Sequence, residues 1–167
     1  MGFNQSKAAK LVGAESRAIQ AVDKVSKSDI RHWCEVLGDP DPNYTEKIKK
    51  GVKTAPHTMT MVWSQPPLWP PKEATEPHEK LLKMLDDAGY NCTAGIGLDQ
   101  EFQRPVRIGD RLSFKVRVAG LSKGEEATKI GKGYLVDLHY TFLDGSGHVV
   151  STQKYKVLKF RSMELPS

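Results

Sequence analysis

The sequence predicts an α+β fold in which a curled antiparallel sheet wraps around a central helix. Helical periodicity is confined to the first half of the chain, whereas strand-like alternation fills the second half after Asn91. The tetrapeptide DGSG, residues 144–147, separates the last two strand-like segments and is a strong hairpin signal. A sheet with one polar face must bury the other, and the apolar segment 56–64 is the best candidate for the covering helix.

The composition indicates a single compact domain. Its 167 residues, of which 38% are hydrophobic, can form one core and are too few for two comfortable domains. Apolar runs are far shorter than the roughly 20 residues that span a bilayer, and no signal-peptide core is visible, so we expect a cytoplasmic protein without membrane contact. Lys and Arg residues give a net charge of +5 but are scattered among acids, which argues against nucleic-acid binding.

The two cysteines argue against a disulfide framework and against a zinc site. Cys34 and Cys92 are far apart in sequence, and neither has CxxC spacing or a histidine cluster nearby. We therefore expect two reduced, buried thiols, and no metal.

Two helical segments are predicted at the start of the chain. Apolar residues recur at three- and four-residue intervals from Ser6 to Asp23, which indicates an amphipathic helix or an irregular helical arm. The next helix is better defined, because Ser26 or Ser28 can cap it and Gly38 can end it. Its apolar stripe consists of Ile30, Trp33, Cys34 and Leu37.

Two further helices are predicted, with proline-rich loops before and between them. The segment DPDP, residues 39–42, combines two aspartates with two prolines and predicts a rigid loop. Thr54 can cap the third helix, and Pro56 is tolerated in its first turn. The segment 64–77 indicates an extended loop, and the short amphipathic helix after it ends at Gly89.

Four strands are predicted in the second half of the chain, with turn-like breaks between them. They cover residues 95–106, 110–122, 132–144 and 148–160. Alternation within the second of these strands places one set of apolar side chains on a single face, namely Leu112, Phe114, Val116 and Val118.

The order of these segments, together with three motifs, resembles the MaoC-like hydratases of the hotdog fold. The motifs are GDPDPNY (38–44), TAPHTM (54–59) and EFQRPVRIGDRLSFKVRV (101–118). The resemblance covers about residues 26–161 and implies a hotdog domain over 26–167, preceded by the helical arm at 1–25. The segments IRHWCEVLGDPDPNY, APHTMTMVW and MLDDAGY are most similar to the MaoC-like subunit of actinobacterial steroid side-chain enoyl-CoA hydratases.

The resemblance fails at one catalytic position. In active members the loop has the pattern Gly-Asp-x-Asn-Pro-x-His, and its Asp and His activate the water that adds across the enoyl-CoA double bond. Gly38, Asp39 and Pro42 match this pattern, whereas Asp41 replaces the asparagine and Tyr44 replaces the histidine. Because tyrosine has an ordinary pKa near 10, it is a poor base at neutral pH. Asp39 retains a chemical role or braces the loop.

The resemblance also implies a binding role for the start of the central helix. The family uses a backbone N–H there as a donor to the thioester oxygen, in the segment formed by Ala55, Pro56, His57 and Thr58. His57 is either a replacement base or a solvated capping side chain. Lys53, Arg104 and Lys132 are candidate contacts for coenzyme A phosphates by charge alone, or simply solvated charges. The other histidines are expected to be ordinary surface or sheet residues: His32, His78, His139 and His148.

These features support three hypotheses for the function. In the first, the chain is a non-catalytic, substrate-accommodating subunit of a heteromeric enoyl-CoA hydratase for bulky, steroid-like acyl-CoA thioesters. A second MaoC-like hotdog subunit then supplies the Asp and the His. In the second, the chain is a self-sufficient homodimeric hydratase using Asp39 with His57, or a thioesterase using Asp39 to activate water. In the third, it binds an acyl-CoA or a protein without chemistry. No cofactor is expected beyond the coenzyme A of the substrate.

Overall fold

The fold is an antiparallel sheet with short helices packed against it, seen in a computed structural model that describes residues 2–44 and 54–161. The elements are α1 (Gln5–Ala9), β1 (Ile19–Gln20), α2 (Lys27–Leu37), a 3₁₀ helix (His57–Ser64), α3 (Pro77–Asp87), β2 (Cys92–Phe102), β3 (Ser113–Leu121), β4 (Glu126–Thr128), β5 (Gly131–Leu143) and β6 (Val149–Phe160). In the described ranges the strands lie in the order β1-β3-β5-β6-β2, and β4 pairs with β5. No helix there is long and apolar enough to cross a membrane.

The hydrophobic core lies between the sheet and the helices. The predicted apolar face of the β3 segment is confirmed, since its four residues are all buried: Leu112, Phe114, Val116 and Val118. From the other side, the 3₁₀ helix contributes Met59 and Trp63, and α3 contributes Leu81 and Leu85. Burial of such side chains stabilises the fold by about 1.5–3 kcal/mol each, which is why this face fixes the register of the sheet.

The local signals for α2 and for the last hairpin are confirmed. Ser26 caps α2 by accepting a 3.1 Å hydrogen bond from the N–H of Asp29, and Gly38 ends it in the left-handed conformation at φ +64°. In the β5–β6 turn, the N–H of Asp144 donates to the carbonyl of His148. The Asp144 carboxylate also accepts from the N–H of His148, and this bond is the main cause of its lowered pKa.

Of the amphipathic helix or irregular helical arm predicted from Ser6 to Asp23, only the first turn is helical. The helix α1 ends at Ala9, and the chain then turns at Gly13, where φ is +90°. The following residues add to the edge of β3: Glu15 forms a bridge with Arg117, and β1 pairs with β3. Backbone partners at the sheet edge therefore outweigh the local helical pattern. The division of the chain at residue 25 stays a prediction.

The predicted central helix lies where it was expected, at 56–64, but it is a 3₁₀ helix and not an α-helix. It has 8 residues and is bounded by Pro56 as its N-cap and by Gln65 before a Pro-Pro pair. Thr54 does not cap it, since it forms a bridge with Arg107 instead. Besides the missed β1, two errors concern the strands of the second half: β4 was missed inside an expected turn, and β2 lies several residues before the predicted 95–106.

Candidate functional site

Asp39 and Tyr44 lie in the loop that leaves α2. The N–H of Asp39 donates to the carbonyl of Cys34 at 2.9 Å, and its Oδ1 accepts a 2.9 Å hydrogen bond from the N–H of Asp41. The N–H of Tyr44 donates to the carbonyl of Asp41, at 2.9 Å. One oxygen of Asp39 therefore organises the backbone of the loop, as expected for a bracing aspartate.

The hydroxyl of Tyr44 cannot act as a base at neutral pH in this environment. Tyr44 is half-buried against the core. Burial raises its pKa above 10, and the carboxylates of Asp41 and Asp39 raise it further, because each disfavours a second negative charge. The position that carries the family's histidine thus holds a group that stays protonated.

The start of the 3₁₀ helix brings together the four residues for which a binding role was predicted. Ala55 is buried, with its N–H bonded to the carbonyl of Val106 at 2.8 Å, and Pro56 is buried beside it. His57 and Thr58 are exposed. Among the residues that the structure describes, no side chain caps this helix start, so its first amides can donate to an oxygen that gains negative charge.

His57 has an aromatic neighbour that the sequence did not indicate. Its ring lies against Phe102, the last residue of β2, with 5.3 Å between ring centroids. This contact joins the helix start to the outer strand of the sheet. The pairing could not be read from sequence, because 45 positions separate the two residues.

The candidate phosphate contacts are not all in one place. Arg104 is exposed at the end of β2, where it lines a surface depression of about 530 Å³ together with Arg107, Asp110 and Asp144. Lys132 lies near the start of β5, whereas Arg104 lies beside the other end of that strand. At the usual strand rise of roughly 3.3 Å per residue, the two residues are about 35 Å apart. Lys53 lies outside the described residues. Arg107 was missed, although it belongs to the same RPVR segment.

His78 is not the ordinary surface histidine that was expected. It is in α3, only 8% exposed, and burial lowers the pKa of its imidazole. It lines a cavity together with Trp63 and Tyr140. A signal for this burial was present, because His78 lies three and seven residues before Leu81 and Leu85, on their face of the helix.

The outer edge of the sheet is a surface of a different kind. In the described part of the chain, β2 is 11 residues long and pairs only with β6. A bulge lies between Gly95 and Gly97, and the edge is regular over 97–102. Leu98 and Phe102 are 50% and 40% exposed on it. A long edge strand with exposed apolar side chains is suited to pairing with another chain.

The helix start and the Arg104 depression can therefore bind and orient an acyl-CoA thioester, but these described residues include no evident general base. The uncapped helix start offers donors to a thioester oxygen, and the Arg104 depression offers cations for phosphates. Cys34 is buried, with its pKa raised by burial and by Asp39 and Asp41, so it is not an activated nucleophile. Cys92 is only half-buried, contrary to the expectation of two buried thiols.

Comparison with known proteins gives one family and two curated relatives. The profile of the family described as "FAS1-like, dehydratase domain region" matches residues 10–153. A probable enoyl-CoA hydratase alpha subunit of Thermomonospora curvata is 29% identical over 83% of this chain and 46% of the relative. The 3-oxo-4,17-pregnadiene-20-carboxyl-CoA hydratase alpha subunit of Mycobacterium tuberculosis is 26% identical over 88% of this chain and 48% of the relative. The chain thus spans about half the length of these relatives.

Solved structures support the fold. A chain of the ChsH1-ChsH2 complex from Mycobacterium tuberculosis matches with a TM-score of 0.77 at 25% identity, covering 98% of this chain and 94% of that chain. Hydratases and MaoC-like dehydratases of known structure share the fold at lower identity. With the antiparallel sheet and its packed helices, these matches confirm the predicted hotdog fold.

Proposed function

Because the chain belongs to the family of FAS1-like dehydratase domain regions, we propose that it is a non-catalytic, substrate-accommodating subunit of a heteromeric enoyl-CoA hydratase. In this proposal a second MaoC-like hotdog subunit supplies the catalytic aspartate and histidine. The names of the relatives support it, since each is an alpha subunit of a hydratase. So does the likeness to a chain of a two-component complex.

The loop after α2 is the observation that carries the proposal. Hydration needs a base for the attacking water, and the position of the family's histidine is occupied by Tyr44. The raised pKa of Tyr44 keeps it protonated, and one oxygen of Asp39 is engaged by the loop backbone. A chain with this loop needs a base from elsewhere, and a partner subunit is the simplest source.

The partner would dock along the regular part of the β2 edge. Strand-to-strand pairing there would satisfy the outward backbone groups of 97–102 and cover the apolar side chains of Leu98 and Phe102. His57, which lies against Phe102, would then lie close to the interface. The uncapped helix start could thereby contribute a donor near the partner's catalytic residues.

The proposed substrate is a bulky acyl-CoA thioester of the steroid side-chain type. One curated relative is named for the hydration of 3-oxo-4,17-pregnadiene-20-carboxyl-CoA, and we carry that substrate class over to this chain. Arg104 and Arg107 would contact the coenzyme A phosphates. We place the protein in the cytoplasm because coenzyme A thioesters are found there.

The proposal is tested by measuring hydration of 3-oxo-4,17-pregnadiene-20-carboxyl-CoA from the loss of enoyl-thioester absorbance. The chain is assayed alone and after co-expression with a MaoC-like subunit that carries the aspartate and histidine. We expect turnover only in the co-expressed sample. Turnover by this chain alone would overturn the proposal and favour a self-sufficient enzyme using Asp39 with His57. Ligand binding without turnover in either sample would favour a binding module.

A further inference from the structure

The outer edge of the sheet carries two carboxylates as well as its apolar side chains. Because side chains alternate along a strand, Leu98 and Phe102 point to one face of β2, and Asp99 and Glu101 point to the other. Both acids are exposed, and neither forms an ion pair within the part of the chain that the structure describes. The edge is therefore apolar on one face and acidic on the other.

The neighbouring strand β6 shows that the acids lie on the solvent face of the sheet. Asp99 is opposite Lys154, which is exposed, and Glu101 is opposite Thr152. Gln153, which points to the other face, is buried. Lys154 can balance part of the charge of Asp99, whereas Glu101 has a neutral residue beside it. The edge thus presents net negative charge to any strand that pairs with it.

This charge bears directly on the pairing of β2 with a second copy of the same chain. Two identical strands that join into one continuous antiparallel sheet are related by a twofold axis, and residues directly opposite one another point to the same face. The regular edge, residues 97–102, forms its longest such pairings with the axis at position 99 or 100. Asp99 then faces Asp99 of the other copy, or it faces Glu101 of the other copy.

The two faces of the edge have opposite effects on self-pairing. An axis at position 100 places Leu98 opposite Phe102 of the other copy, which would bury apolar surface on the inner face. On the outer face the same axis places acids opposite acids, and like charges directly opposite one another destabilise a strand pair. Charges on edge strands are a common means by which natural sheets avoid pairing with copies of themselves.

We infer that Asp99 and Glu101 select a partner whose edge strand presents Lys or Arg side chains opposite them, and that they exclude pairing of this chain with itself. The inference rests on the proposed function, which places the MaoC-like partner on this edge. Opposite charges across a strand pair stabilise it, so the same two carboxylates favour one partner and disfavour the other. The partner's edge strand is then basic on its outer face and apolar on its inner face, where it covers Leu98 and Phe102.

The first test measures self-association of the isolated chain by sedimentation. The double variant Asp99→Asn/Glu101→Gln removes both charges and keeps the shape of the side chains. We expect its self-dissociation constant to be at least about tenfold lower than that of the wild type, because the apolar face then pairs without repulsion. The control Glu73→Gln/Glu126→Gln makes the same change of charge at exposed positions on the loop before α3 and on β4, and should behave as the wild type.

The second test measures binding of the MaoC-like partner to the same variants at about 50 and about 500 mM NaCl. We expect the dissociation constant of the wild-type complex to rise roughly tenfold between these concentrations, because salt screens exposed charges. The Asp99→Asn/Glu101→Gln variant should bind about tenfold more weakly at the lower concentration, and its dissociation constant should change by less than about threefold. The Glu73→Gln/Glu126→Gln control should retain the wild-type values.

The outcomes separate this inference from the proposed function. A wild-type chain that is already a dimer at about micromolar concentration would overturn the inference, as would a neutralised edge that self-associates no better than the control. Unchanged affinity of the neutralised edge for the partner would overturn the assignment of the two acids, while the heteromeric function stands. Failure of the wild-type chain to bind the MaoC-like partner at either salt concentration would instead contradict the proposed function.

Discussion

At the scale of single residues, the loop after α2 retains the backbone role of its aspartate but not the chemistry of the family's histidine. Asp39 holds the N–H of Asp41, while Tyr44 replaces the base and is kept protonated by burial and by nearby carboxylates. The loop can thus keep the backbone hydrogen bonds that Asp39 organises and still be unable to activate water.

The bracing role of Asp39 predicts a stability effect. Asp39→Ala removes the acceptor for the N–H of Asp41 and should lower the free energy of unfolding by about 1 kcal/mol. Asp39→Asn keeps an oxygen acceptor and should stay within about 0.5 kcal/mol of the wild type. Urea denaturation of the isolated chain measures both. Equal losses for the two variants would show that the charge of Asp39, and not its hydrogen bond, matters.

The raised pKa of Tyr44 predicts a flat pH profile for the isolated chain. Between pH 6 and 9 the hydroxyl stays protonated, so no hydration of crotonyl-CoA should appear as the pH rises through this window. A rate that climbs about tenfold per pH unit towards pH 10 and disappears in Tyr44→Phe would identify Tyr44 as a base after all.

For the candidate site, the chemical type of each residue could be predicted from the sequence, but the side chains that surround it could not. The replacement of histidine by Tyr44 could be seen in one motif, because the loop is continuous in the chain. The contact between the rings of His57 and Phe102 and the cavity beside His78 depend on how distant elements pack. No local pattern carries that information for the contact of His57. For His78 the spacing to Leu81 and Leu85 was a signal of burial that the sequence analysis missed.

At the scale of elements, a well-bonded ion pair adds to the backbone pairing that holds the irregular N-terminal segment beside β3. The guanidinium of Arg17 donates from Nε and Nη2 to the Oε1 of Glu76, at 2.9 and 2.7 Å, and the N–H of Arg17 donates to Oε2. Glu76 also caps α3. The contact therefore ties the segment beside β3 to the start of a helix that covers the core.

This contact predicts a pH-dependent loss of stability in Arg17→Ala. The side-chain hydrogen bond from Arg17 is the main cause of the lowered pKa of Glu76, so its stabilisation is present above the ordinary value of 4.5. It is lost as the pH falls through the lower pKa of the folded state. We expect Arg17→Ala to cost about 1 kcal/mol at pH 7, and less at pH 3, in urea denaturation.

Lys83→Ala is the matched control for this prediction. It removes another ion pair of α3, between Lys83 and Asp87, in which both side chains are mostly exposed. Its cost should stay below about 0.5 kcal/mol, as is usual for an exposed pair four residues apart on a helix. Equal losses for Arg17→Ala and Lys83→Ala would contradict the role given to the Arg17 contact.

The exposed apolar side chains on the β2 edge predict that the partner subunit binds there. Leu98→Asp places a charge among the apolar side chains of the proposed interface and should weaken binding of the MaoC-like partner at least tenfold, because the charge would be buried unpaired. Leu68→Asp is the control, since Leu68 is 95% exposed on the loop before α3. Size-exclusion chromatography of co-expressed chains measures the effect. Intact complex with Leu98→Asp would place the interface elsewhere.

Elements with strong local signals were predicted well from the sequence, and elements governed by distant contacts were not. The α2 helix has its own cap and its own terminating glycine, and the β5–β6 turn has its own glycine-rich motif. The segment around Ile19 has a helical pattern, but it is a strand because β3 offers unpaired backbone groups beside it. The bounds of the central helix could be predicted, because prolines flank it on both sides.

At the scale of the whole molecule, the chain is a hotdog domain whose described residues include a chemically incomplete loop, an open sheet edge at β2 and a cavity beside α3. These three features fit a division of labour in which the partner performs the chemistry and this chain holds part of the substrate. The fold could be predicted from the order of the elements and the motifs. The open edge and the cavity could not, because both are properties of the assembled sheet.

The most direct test of this division of labour compares substitutions in the two subunits of the complex. Asp39→Asn and Tyr44→Phe are introduced together in this chain, and the catalytic histidine is replaced by alanine in the partner. The account predicts that kcat for the steroid enoyl-CoA stays within about twofold in the first complex and falls by roughly 10²–10⁴ in the second. A large loss of kcat from the substitutions in this chain, with the complex intact, would contradict it.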